Sequence, residues 1–165
     1  MTPNSKQKLF DAFREDHALL GRGLHSLRER LVARDWEGAR HQAQQLNREA
    51  GAHIAFEEED FYPALKAFLD EEEVEEMYRD HKEGLRLVAD VMDAPDEDFQ
   101  SDQRASDFVT RVDHMSDHVS ECGELFGAMG GLDEEDTKKL LERLEYWRKV
   151  APSWSGVAGQ SQTPE

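Results

Sequence analysis

The feature that most constrains this chain is a set of apolar rows at alternating steps of three and four, each carrying a histidine at or beside it. Segment 5–33 presents Phe10, Phe13, His17, Leu20, Leu24, Leu27 and Leu31, one continuous stripe on an α-helix. Segment 36–69 presents Trp36, Ala39, Ala43, Leu46, Ala50, His53, Glu57, Asp60 and Ala64. Its inward face turns from apolar to ionisable and back. Segment 71–92 presents Val74, Met77, His81, Leu85, Val88 and Met92. Segment 101–129 presents Phe108, Val112, Met115, Val119, Cys122, Phe126 and Met129, flanked by a second row of His114, His118, Glu121 and Leu125. A fifth helix runs from Asp133, an N-cap candidate, to Val150, with Leu140, Leu144 and Trp147 as its buried edge. No internal stretch alternates as a strand does. The fold predicted is all-α: an antiparallel up-down-up-down four-helix bundle with an additional C-terminal helix. Residues 1–150 form the domain, and 151–165 read as a flexible tail.

Composition narrows the function classes. The chain has 165 residues, 20 Lys+Arg against 37 Asp+Glu, and a formal net charge of −17. Such a field repels phosphates, which argues against nucleic acid and anionic lipid as partners. No apolar run is long enough to span a bilayer, and the first residues lack the apolar region of a secretory signal. The single Cys122 excludes an internal disulfide and fits a reducing compartment. A cytoplasmic location is the expectation.

A lone histidine in an apolar row is ordinarily a hydrogen-bonded core residue. Four helices each placing one at mid-length is different. His17 and His81 stand roughly ten to twelve residues into their segments, and His53 and His118 about eighteen, so in alternating helices they fall near one cross-section. Several imidazoles and a carboxylate in one buried layer are costly unless they pair or hold a metal. His53-Ile-Ala-Phe-Glu57 sets imidazole and carboxylate on one face a turn apart. That donor set suits iron, manganese or zinc, and the absence of thiolate clusters argues against iron–sulfur.

Asp16-His17, His53-Ile-Ala-Phe-Glu57-Glu58-Glu59-Asp60-Phe61-Tyr62-Pro63 and His81 resemble the hemerythrin-like (HHE cation-binding) family over about residues 5–130. Its pattern is H … H-x-x-x-E … H … H-x-x-x-E on four helices. The resemblance implies a non-heme centre of two irons bridged by carboxylates, with an open position for O2 or another small molecule. A single metal or another divalent ion also fits.

Helix four departs from the pattern. Four residues after His118 stands Cys122, and four before Glu121 stands Asp117. Asp117 faces away from the apolar row, so His118 is the expected ligand and Glu121 the second carboxylate, with His114 adding a fifth imidazole. The metal set is thus His17, His53, Glu57, His81, His114, His118 and Glu121. His25 and His41 lie off the stripes and read as surface residues. Glu58 reads as solvated, Asp60 as a solvated or supporting carboxylate, Tyr62 as a packed aromatic, and Cys122 as a small core residue. The functions that follow are O2 or diatomic binding or sensing, iron holding or delivery, and oxidoreduction of peroxide or nitric oxide.

Overall fold

The computed structural model describes residues 4–121 and 128–157, the side chains of Ser120, Glu121 and Val157 excepted. Among these residues every regular element is helical. The elements are α1 (Ser5–Val32), α2 (Trp36–Phe56), a π-helical turn (Glu57–Phe61), α3 (Tyr62–Leu65), α4 (Glu71–Asp93), α5 (Asp96–Gln100), α6 (Asp102–Glu121), α7 (Glu134–Val150) and α8 (Trp154–Val157). None of the described helices is long and apolar enough to cross a membrane.

Local chemistry sets the starts. Asn4 caps α1 by accepting from the Gln7 amide at 2.8 Å, and Asp35 caps α2 by accepting from Gly38 at 3.1 Å. Asp133 caps α7 as its position predicts, accepting from Asp136 at 2.8 Å. The turn between α1 and α2 is made by Arg34 at φ 61°. Its guanidinium donates to the Phe99 carbonyl at 2.9 Å, tying the turn to α5.

α1 packs on α2 and α6, α2 on α4, and α4 on α6, which closes a ring of four long helices. Contacts run in opposite order along three of these pairs. Asp16 meets His53, while a Cβ on Gly23 would meet Leu46. Asp80 meets His118, and Asp90 meets Arg111. Arg40 meets Ala94, and Glu58 meets His81.

The core of the bundle is two apolar clusters separated by a polar layer. One includes Leu20, Leu24, Leu27, Ile54, Val88, Phe108 and Met115. The other includes Leu9, Phe13, Phe56, Phe61, Tyr62, Val74 and Leu140. His17, His53, His81 and His118 each fall, along their own helix, at the junction between the two.

Three expectations are corrected. The helix predicted over 36–69 stops being α at Phe56, where the π turn inserts one extra residue into the repeat. On α4 the buried residues are Val74, Tyr78, His81, Gly84, Leu87, Val88 and Val91, with Met77, Leu85 and Met92 only half-buried at their edge. The C-terminal segment does not begin as a loose tail, because residues 154–157 form α8 against α2 and Trp154 is 1% exposed. Gly51 lets that segment cross: a Cβ there would sit 1.8 Å from the Pro152 carbonyl oxygen.

Candidate metal centre

Each of the four inward histidines is held through Nδ1. His17 donates to the Phe13 carbonyl one turn back at 2.9 Å. His53 donates to Asp16 Oδ2 on α1 at 3.1 Å, and His81 to Glu58 Oε2 in the π turn at 3.0 Å. His118 donates to Asp80 Oδ2 on α4 at 2.9 Å. A carbonyl or carboxylate on Nδ1 fixes, in the neutral ring, the tautomer in which Nε2 carries the lone pair, the arrangement that metal-bound imidazoles show.

The rings are close. His17 and His53 stand 4.5 Å apart at the centroids and nearly perpendicular, and His81 and His118 stand 5.2 Å apart in the same relation. Glu57 lies between the pairs, its Oε1 being 3.0 Å from His53 Nε2 and 3.5 Å from His81 Nε2. Ligand atoms of His17, His53 and Glu57 all lie within 4.8 Å of one another. Tyr62 closes the floor by donating its hydroxyl to Glu57 Oε2 at 3.0 Å, with His81 Nε2 3.2 Å from the Tyr62 oxygen.

Electrostatics matches this crowding. Burial favours the neutral ring at His53, but the charge of Glu57, the hydrogen bond to Asp16 and the Asp16 charge outweigh it and raise His53 to about 9. At His81 burial is likewise outweighed, by hydrogen bonds to Glu57 and Glu58 and their charge, and the ring rises to about 9. Burial and the neighbouring His53 charge lower His17 to about 4. Burial raises Glu57, but the positive charge of His53 and His81 beside it outweighs that and holds it well below its ordinary value.

The structure thus brings His17, His53, Glu57, His81 and His118 together. His114 does not join them: its side chain is 59% exposed, with Nε2 3.4 Å from both Asp80 and Glu83. It lies one turn from His118 on α6, but on the solvent side of Asp80. The side chain of Glu121 and all of Cys122 lie outside the described residues. His25, His41 and Asp117 are exposed as predicted.

Glu58 is corrected from solvated to buried at 3% exposure, bonded to His81. The π turn rotates it inward from the position a regular helix gives it. Tyr62 is corrected from packing alone to packing plus a hydroxyl in the site. Asp60 is a supporting carboxylate, accepting from Trp147 Nε1 at 2.8 Å and Arg143 Nε at 3.0 Å. Asp80 went unread in the sequence. Its signal is the dipeptide: Asp16-His17 and Asp80-His81 each send the Asp to the histidine of the next long helix.

A cation fits this donor set. His53 Nε2 is buried and lacks a hydrogen bond, with Glu57 Oε1 3.0 Å away. An ion among the crowded ligand atoms of His17, His53 and Glu57 would satisfy both. A helical bundle with a buried layer of oriented imidazoles and carboxylates defines an all-α protein whose core could hold a metal ion. The chain belongs to the hemerythrin HHE cation-binding domain family, whose pattern it matches over residues 8–129. No curated protein and no solved structure gives a significant match.

Proposed function

We propose that the protein holds two non-heme irons in an up-down-up-down four-helix bundle and binds or senses O2 or another small diatomic there. The opposed order of contacts along neighbouring helices supports the bundle. The observation that carries the site is the shared device of four imidazoles held at Nδ1 around Glu57. In this reading His17, His53, His81, His118 and Glu57 would hold the irons, with Glu57 lying between His53 and His81. Bound iron would supply an open coordination position and a one-electron redox change, which small gases need.

The chain's own residues do the rest. Phe13, Phe56 and Phe61 are fully buried beside the layer and keep bulk water out. Tyr62 holds a proton on its hydroxyl between Glu57 and His81. The acidic chain suits a small uncharged ligand rather than nucleic acid or an anionic membrane, and we place the protein in the cytoplasm. Iron holding or delivery, or oxidoreduction of peroxide or nitric oxide, would use the same layer. Iron analysis with absorption spectra before and after O2 exposure tests the reading. Iron with a reversible change in the visible bands is the expected result. A colourless zinc protein, or bands that change once and never return, counts against reversible binding.

A further inference from the structure

α7 lies beyond residue 129, where the family match ends, yet it reaches back to the site at two points. Arg148 Nη2 donates to Asp16 Oδ1 at 2.9 Å, while Asp16 Oδ2 accepts from His53 Nδ1 at 3.1 Å. The same guanidinium donates to the Ala12 carbonyl at 3.3 Å, so it is anchored to α1 by two bonds. Trp147, the residue before it, and Arg143, more than a turn back, both bond Asp60, a member of the π turn that carries Glu57 and Glu58.

A helix that only covers an apolar edge needs Leu140 and Leu144, which are 4% and 1% exposed. It does not need each neighbouring polar side chain to land on a carboxylate that leads to the polar layer. Asp16 is the sharper case. Its two oxygens are divided between Arg148 and His53, and the carboxylate is 17% exposed. Without Arg148 that carboxylate is free to turn about its own axis toward solvent, taking the His53 acceptor with it. The position is also at the site's edge: a cleft of about 290 Å3 is lined by Asp16, Arg48, His53 and Arg148.

We propose that Arg148 is a positioning residue of the metal centre, fixing the His53 ring and its tautomer through Asp16. The inference rests on the layer being a cation site. Groups that orient metal-bound imidazoles change metal affinity by about 10–100-fold when removed.

The test uses the full chain titrated with Co2+ against a competing chelator, since Co2+ reports ligand geometry through its visible bands. Arg148→Gln is expected to bind Co2+ about 10–100-fold more weakly, with shifted bands. Arg148→Lys, which keeps the charge but not the fork, falls between it and the parent. Leu144→Ala is the structural control: its metal-free form melts earlier, but it binds Co2+ as the parent does. Parent-like affinity and bands in Arg148→Gln overturn the inference. So does an equal loss in Leu144→Ala, which would assign α7 to packing alone. A parent protein that takes up no Co2+ overturns the cation site itself, and this inference with it.

Discussion

The hydroxyl of Tyr62 joins a carboxylate and an imidazole that burial would otherwise leave short of partners. Tyr62→Phe keeps the ring among Phe61, Tyr78 and His81 but strips the donor from Glu57 Oε2. Stranding a buried polar group costs about 1–3 kcal/mol. The urea midpoint of the metal-free variant should fall accordingly, and an unchanged midpoint would show that the hydroxyl carries no such load. The histidines make a second prediction, on pH. His53 and His81 sit at about 9 when folded, above the unfolded value near 6.5. Their stabilisation is full below about 6.5 and is lost as pH rises through about 9. His17 sits at about 4, so the unfolded chain binds its proton first, and stability is lost as pH falls from about 6.5 toward 4. The metal-free protein should be most stable near pH 6.5 in denaturant titrations. A stability that keeps climbing to pH 9 would contradict the raised values. Because a cation must displace the protons of His53 and His81, its affinity should weaken as pH drops below about 9.

The π turn and the C-terminal crossing show what a helix does that periodicity cannot reveal. The rows at steps of three and four made the long helices legible, together with the four inward histidines and Glu57. Those signals are local and repeat many times. One extra residue between Glu57 and Phe61 is not visible in the row, since the apolar residues before and after it remain helical in spacing. Glu58 was therefore misplaced by the sequence and Tyr62 undervalued. His114 was drawn inward by its step of four from His118, although the face there turns to solvent between them. Trp154 was hidden because it sits among Pro, Ser and Gly, a composition that reads as tail. Its place depends on Gly51 and Gly84, where a Cβ would meet the Pro152 carbonyl at 1.8 Å and the Trp154 ring at 2.8 Å. Gly51→Ala should push that segment off α2, lowering the unfolding midpoint and shifting tryptophan emission to the red. Trp154→Ala should cost about 3–5 kcal/mol by the cavity it leaves. Wild-type emission and midpoint in Gly51→Ala would mean that the crossing is not as close as described.

At the scale of the whole molecule, two apolar clusters hold apart a layer that is costly without its ion. A cation that binds only the folded chain adds about 2.7 kcal/mol at a hundred times its dissociation constant. For a chain of this size that is roughly 5–10 °C in melting temperature. Calorimetry with and without a chelator should show that difference, and identical melting curves would deny the linkage. The central claim is that Glu57 and the four imidazoles around it hold iron, and elemental analysis of matched preparations tests it most directly. The wild-type chain should carry iron, up to two per chain, and Glu57→Gln should lose at least half of it while its circular dichroism stays helical. Equal iron in the two proteins would contradict the account and place the ligands elsewhere.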